Sequence, residues 1–304
     1  MPNKTFILIS GSKVGELCAQ AFIHEGLQLT GVVTLLGEPV KGKHNFVPFC
    51  AKYNALLYAL NTVDEIPLTL CDQDPYIKPD YFLVCGFSKL LPKEVYSFPE
   101  KFSIGSHPSE LPTGRGRHPI EWHIVLRARR SAYTMFILDD GVDTGPILEQ
   151  IPYKISRKDT KETLEKRVNE AAIRCASLVA KRLLNNNDIA YHTSVAHSSL
   201  YRKRTEHDGF IDFRMSCRAI DALVRTGYAN ILYKDTTLHV EKCFAYGLPK
   251  VRQGHGYILD RATHTIGVEC DDGTIYLRVD HIPQYLNTGT FIHPPTYYAY
   301  PTER

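Results

Sequence analysis

Phe6-Ile7-Leu8-Ile9-Ser10-Gly11-Ser12-Lys13-Val14-Gly15 is the stretch that decides the fold class. Four consecutive apolar residues suit a strand buried on both faces, and the small residues behind them suit a tight turn. Val14, Leu17, Cys18 and Phe22 then recur at helical spacing. A second apolar run at 29–35 and a third at 81–85 repeat the strand signal, while segments near 46–54 and 118–127 supply intervening helices. Strands alternating with helices predict an α/β domain: a parallel sheet with helices on both faces.

Further along, Leu164, Val168, Ala172, Cys175, Val179 and Leu183 mark one apolar face of a helix over 159–184, with Asp159 and Glu162 placed for a capping box. The run Asn185-Asn186-Asn187-Asp188 stops it, and the polar stretch 192–199 reads as a linker. Beyond, Ser216 is placed to cap a short helix containing Ile220, Leu223 and Val224. Residues 231–240, 257–258, 266–270 and 274–279 read as short strands between Gly, Asp and Asn turns. The expected organisation is therefore two domains, 1–190 and 200–304, the second a small β-barrel.

Composition agrees with a folded chain. The 304 residues are 43% hydrophobic and 23% charged, which excludes disordered and fibrous classes. A net charge of +3 is far from what a protein clamping a long nucleic acid by charge requires. No apolar run reaches membrane-spanning length, and the first residues lack an apolar core followed by a cleavage site, so a cytoplasmic protein without signal peptide is expected. Eight cysteines lie scattered without a CxxC pair or a zinc-ligand spacing, and they read as reduced thiols with no metal.

Chemistry concentrates in two places. The turn Ser10-Gly11-Ser12-Lys13 opens a helix, where free N–H groups and the helix dipole favour phosphate; equally, its small residues permit close packing of strand and helix. It is not GxGxxG, which argues against a nicotinamide enzyme. The richer segment is Ser103-Ile104-Gly105-Ser106-His107-Pro108-Ser109-Glu110-Leu111-Pro112-Thr113-Gly114-Arg115-Gly116-Arg117-His118-Pro119-Ile120-Glu121-Trp122. Between 101 and 130 six Lys/Arg stand against two Glu, a local basic patch suited to a small polyanion or to a solvated helix face. His107 falls at the carboxyl end of a strand, the edge where open α/β sheets bind ligands, and a neutral imidazole takes up a proton near pH 7. Asp143, in Asp139-Asp140-Gly141-Val142-Asp143-Thr144-Gly145, is either the orienting partner of such an imidazole or part of an acidic hairpin turn.

Together, His107-Pro108-Ser109, Leu111-Pro112, Arg115-Gly116-Arg117, Pro119-Ile120, Trp122 and the run Gly141-Val142-Asp143-Thr144-Gly145-Pro146-Ile147-Leu148 resemble the signature of the formyl transferase superfamily that uses 10-formyltetrahydrofolate. Residues 204–213, with Ser216, Ile220 and 223–225, resemble the start of the OB-like domain appended in methionyl-tRNA and several sugar N-formyltransferases. The resemblance implies a Rossmann-like parallel-sheet formyl transferase domain followed by a small OB-like β-barrel domain. It gives His107 and Asp143 catalytic roles in moving a formyl group to an amine. It places folate along Ser88, Leu90 and Leu91, bordered by Asp139, Asp140 and Gly141. One position departs from the pattern: the family usually carries Asn two residues before this histidine, facing the formyl oxygen, and here Gly105 stands there. The oxyanion donor is then expected from Ser106, His118, backbone N–H groups or water.

For the acceptor, the leading expectation is an amino group of a nucleotide-linked amino deoxy-sugar, with Arg115, Arg117 and the turn Ser10, Gly11, Ser12 and Lys13 as candidate diphosphate contacts. The alternatives are methionyl-tRNA formyltransferase, disfavoured by the small net charge and the short segment 36–46, and a non-catalytic folate or nucleotide-sugar binder, motivated by Gly105. The Tyr/Pro-rich stretch 291–304 is expected to form a homodimer contact, to line the acceptor site or simply to pack down, with the homodimer as the leading expectation.

Overall fold

In the computed structural model, residues 4–36, 44–73, 78–186, 190–191 and 198–293 are described; the linker centre 192–197, most of the 36–46 segment and the tail from 294 lie outside them. Strand β1 (Thr5–Ile9) starts the expected unit, turns through 10–12 and enters helix α1 (Lys13–Glu25), which ends on Gly26 at φ 117°, a left-handed cap that glycine adopts without a Cβ clash. Phe6 and Leu8 are fully buried on one face of β1, where Phe6 meets Phe22 of α1 with ring centroids 5.3 Å apart. Ile7 and Ile9 are buried on the other, in a cluster with Val33, Leu60, Phe82 and Val84. Burial on both faces explains an unbroken apolar run where a half-exposed strand would alternate.

The sheet continues with β2 (Gln28–Leu35), α2 (Val47–Tyr53), β3 (Leu56–Leu60), α3 (Glu65–Gln73), β4 (Tyr81–Val84), α4 (Lys93–Tyr96), β5 (Phe102–His107), the short β6 (Arg115–Gly116), α5 (Pro119–Val125), β7 (Arg130–Ile137) and β8 (Ile147–Lys154). Its order is β3-β2-β1-β4-β5-β7-β8. Five strands are parallel, as the alternation predicts; β7 pairs antiparallel with β5 and with β8, which corrects the all-parallel expectation at one edge. For β7 and β8 the connection is direct, the loop carrying Asp143, which an antiparallel pair allows and a parallel pair does not.

Helix α6 (Lys161–Leu184) forms where its apolar stripe predicts, but its cap differs: Thr160 and Thr163 exchange side-chain to backbone hydrogen bonds at 2.9 and 3.3 Å, while the Asp159 carboxylate accepts from the N–H of Ser156. β9 (Leu200–Tyr201) follows and pairs with β6. Ser216 does cap α7 (Cys217–Val224), accepting from the N–H of Ala219 at 3.3 Å. The expected strand over 231–240 is a hairpin, β10 (Asn230–Tyr233) and β11 (Thr236–Leu248), turning at Lys234 with φ 53°. With β12 (Ile258–Arg261), β13 (Thr265–Cys270) and β14 (Gly273–Val279) it makes a five-stranded antiparallel sheet, β10-β11-β14-β13-β12, the small β domain expected. Its core includes Ile220 and Leu223 of α7 with Leu238, Val268, Ile275 and Leu277.

Two compact units result. One takes the described residues of Met1–Pro119, Arg130–Lys154 and Glu165–Tyr201; the other takes those of Ile120–Arg129, Ile155–Leu164 and Arg202–Arg304. The expectation of eight reduced thiols is corrected at one pair: Cys217 and Cys270, 53 residues apart, are joined as a disulfide, because both lie in the core that α7 forms with the small sheet. Cys18, Cys50, Cys71, Cys85, Cys175 and Cys243 are free. Among the described residues no helix is long and apolar enough to cross a membrane.

Candidate active site

The carboxyl end of β5 delivers His107, 7% exposed in its side chain, into a loop whose backbone the neighbouring strands hold. Tyr153 donates to the carbonyl of Pro108 at 2.8 Å, Thr134 to that of Ser109 at 2.6 Å, and Gln150 to that of Leu111 at 3.0 Å. These three side chains of β7 and β8 carry no motif, and nothing in the sequence pattern singles them out. They fix where the loop leaves the sheet, and each buried carbonyl gets the partner it needs.

The loop returns through β6, whose pairing with β9 depends on glycine: Gly114 and Gly116 have φ of 71° and 95°, and a Cβ on Gly116 would lie 2.4 Å from the carbonyl oxygen of Tyr201. This returning segment presents backbone to the site. The carbonyl of Gly114 accepts from Nε2 of His107 at 2.8 Å, and the N–H of Gly116 donates to Oδ2 of Asp143 at 2.8 Å. Asp143 itself is left-handed, φ 54°, a conformation that Asp tolerates better than most residues. Its Oδ2 lies 3.6 Å from Nδ1 of His107, a charge contact longer than a hydrogen bond. Both ring nitrogens therefore face oxygen acceptors. Oδ1 of Asp143 makes no hydrogen bond among the described residues, in a side chain 19% exposed.

Of the other site residues expected from sequence, Ser106 spends its hydroxyl on the carbonyl of Val84 at 3.4 Å. Gly105 has its space filled: a Cβ there would come within 2.5 Å of Leu138 and 2.8 Å of Phe136, so apolar side chains occupy the direction in which a longer residue would point. Ser88 and Leu91 lie on the segment between β4 and α4 with the exposed Leu90; Leu91, Phe87 and Leu138 pack on the apolar cluster of Val84 and Val95. Asp139 closes its own loop, accepting from the N–H of Gly141 at 3.1 Å and from Thr144 at 2.7 Å. Asp140 accepts from the hydroxyl of Tyr96, and that bond to a carboxylate pushes the Tyr96 phenol up to about 12. Tyr96 is a tether that sequence reasoning missed.

The basic candidates separate. Lys13 pairs with Glu16 at 2.6 Å, and His44 also bonds Glu16. Burial works to raise the Glu16 carboxyl, but these two partners outweigh it and hold it below the usual range. Ser10 is fully buried and bonded to its own turn, accepting from the N–H of Ser12 at 3.2 Å, and a Cβ on Gly15 would overlap its hydroxyl. The carbonyl of Gly11 accepts from the N–H of His44 at 3.2 Å. Arg115 reaches the carbonyl of Val142 at 3.2 Å and Ser198 at 3.1 Å. Arg117 is exposed, its backbone pinned to the carbonyl of Tyr201 at 3.0 Å.

Residues 54–180 match the family model described as formyl transferase, a span holding both His107 and Asp143. A methionyl-tRNA formyltransferase of Marinobacter nauticus is 23% identical over 87% of this chain and 87% of its own length. That of Thermodesulfovibrio yellowstonii is 30% identical over 50% of this chain and 49% of its own. Among solved structures, the sugar 3N-formyl transferase WlaRD, determined with dTDP and 5-N-formyl-THF, superposes with a TM-score of 0.69 at 16% identity, covering 92% of this chain and 99% of that one. An N-formyltransferase from Helicobacter canadensis, in complex with folinic acid and dTDP-3-aminofucose, gives 0.67 at 16% identity, covering 91% and 99%.

Proposed function

We propose, from the premise that this chain belongs to the formyl transferase superfamily, that it moves a formyl group from 10-formyltetrahydrofolate to an amino group of a nucleotide-linked amino sugar. The enzyme class, a 10-formyltetrahydrofolate-dependent formyltransferase, goes with the matched domain. The observation that carries the reading is the pairing of His107 with Asp143, 36 positions apart in sequence, at the carboxyl edge of the sheet.

The residues at hand fit a reduced pterin. Phe87, Leu91 and Leu138 pack on an apolar floor, and the backbone of Ser88, Leu90 and Leu91 makes no hydrogen bond among the described residues, leaving carbonyl and N–H groups for a flat heterocycle. When bound, the folate supplies an activated one-carbon unit. The protein's part is proton handling and orientation. With Nε2–H held by the carbonyl of Gly114, Nδ1 is the nitrogen that exchanges a proton along the Asp143 edge. Gly116 fixes Oδ2, which leaves Oδ1 as the atom free to accept a proton from an incoming amine. The 3.6 Å gap between Nδ1 of His107 and Oδ2 of Asp143 closes to a hydrogen bond in the reacting complex. Since Leu138 and Phe136 fill the direction beside Gly105, a donor to the formyl oxygen comes from backbone N–H, His118 or water.

For the acceptor, Arg117 is the exposed guanidinium beside this loop and our candidate diphosphate contact. Incubating the protein with 10-formyltetrahydrofolate and a panel of nucleotide-linked amino sugars tests the reading; formylation of at least one is expected. The curated relatives favour a second reading, initiator methionyl-tRNA as acceptor. Its formylation with no turnover of any sugar nucleotide overturns the first. Uptake of folate without transfer to either acceptor class points to a binding protein.

A further inference from the structure

A cleft of about 170 Å³ is lined wholly by residues of the second unit, whereas His107 and Asp143 belong to the first. Five arginines line it, Arg127 and Arg129 behind α5, Arg157 in the turn after β8, Arg218 on α7 and Arg225 at its C-cap, against the single carboxylate of Asp221. That carboxylate is already committed to Arg225 at 3.0 Å, and Arg225 also donates to the carbonyl of Asp159 at 2.7 Å. Arg127, Arg129, Arg157 and Arg218 are all exposed, and none makes a side-chain hydrogen bond or ion pair among the described residues. Four like charges around one cleft repel each other and give the fold nothing in return.

A second observation makes the arrangement more than a solvated face. Arg127 follows the last turn of α5 in the left-handed region, φ 56°, its N–H bonded to the carbonyl of Ile124. Glycine is the usual occupant of that position, and a side chain there costs about 1 kcal/mol. A strained residue that lines a cleft together with three further unpaired arginines indicates a requirement for the charge itself. Arginine recognises phosphate oxygens in pairs, and Tyr246, 46% exposed, lines the same cleft with an aromatic ring of the kind on which a base stacks.

We infer that this cleft is a second ligand site that binds a diphosphate group. Two sources share that chemistry, inorganic pyrophosphate and a nucleoside diphosphate, and Tyr246 separates them because only the nucleotide offers a base to stack. The test is titration calorimetry of the full chain with pyrophosphate and, separately, with ADP, on wild type, Arg157→Ala/Arg218→Ala and Tyr246→Ala. The double variant is expected to lose one site for pyrophosphate, each missing charged contact weakening it by about tenfold or more. Tighter ADP binding that Tyr246→Ala removes assigns the site to a nucleotide; equal binding untouched by Tyr246→Ala assigns it to the diphosphate alone. Identical titrations of wild type and double variant with both probes overturn the inference. Formyl transfer by the double variant, measured alongside, is expected to persist and certifies its fold, so failure here is separate from failure of the proposed activity. Arg127→Gly sharpens the result: it is expected to raise the melting temperature while weakening pyrophosphate, and unweakened binding removes Arg127 from the site.

Discussion

Two loops leave the carboxyl edge of the same sheet, one after β1 and one after β5, and both join glycine, serine and a basic residue. They differ in what surrounds them. After β1, Lys13 is matched by Glu16, Ser10 is buried against its own turn, and Gly15 is there because nothing larger fits beside Ser10 and the carbonyl of Cys85. After β5, the glycines turn backbone toward His107 and Asp143, and Arg117 remains exposed. Small residues at a strand end thus mark close approach of backbone; whether the neighbours of the turn already neutralise its charge decides if a ligand is served.

The contrast breaks most sharply at the proposed catalytic pair. His107→Ala and Asp143→Ala are each expected to slow formyl transfer by about a hundredfold to ten-thousandfold, with circular dichroism unchanged. Full activity in either removes the loop after β5 from the chemistry. Next comes Gly105→Asn, which forces Leu138 and Phe136 from their places and is expected to cost about 1–3 kcal/mol in urea unfolding, recovered in part by adding Leu138→Ala. An unaltered midpoint shows that the space beside Gly105 is empty.

Smaller effects separate the basic residues. Arg117→Ala is expected to raise KM for the sugar nucleotide by about tenfold and leave that for folate alone, whereas Lys13→Ala changes neither. A larger effect at Lys13 than at Arg117 inverts the comparison. The smallest effect is on stability in acid. Glu16 has its folded pKa held below the ordinary 4.5, so folding releases protons there; the stabilisation is complete above 4.5 and is lost as pH falls through the lowered folded value. Glu16→Gln is expected to cost about 1 kcal/mol or less at neutral pH and to flatten the acid limb of a pH–stability curve, read by thermal unfolding.

How legible all this is from sequence follows from the kind of signal each part leaves. Strands β1, β2 and β4 are doubly buried and announce themselves as apolar runs, and α6 shows its stripe over several turns. β3, a mix of exposed and half-buried residues without alternation at the sheet edge, and the antiparallel pair β7 and β8 are missing from the sequence reading, although the loop between the latter two carries the turn dipeptides Asp140-Gly141 and Thr144-Gly145. That omission matters for the site: Asp143 looked like either a hairpin residue or a partner of His107, and it is placed as both, since the loop joining β7 to β8 carries it back beside β5. The anchoring roles of Thr134, Gln150 and Tyr153, and the filling of Gly105's space by Leu138, are contacts between distant segments and leave no local pattern. The disulfide between Cys217 and Cys270 is of the same kind.

The most direct test is single-turnover formyl transfer by wild type and Asp143→Asn, each saturated with 10-formyltetrahydrofolate and an amine acceptor. Asparagine keeps the oxygen that accepts from Gly116 but cannot take the amine's proton, so folate affinity is expected to hold while the transfer rate falls by about a hundredfold or more. A variant that transfers formyl as fast as wild type contradicts the account.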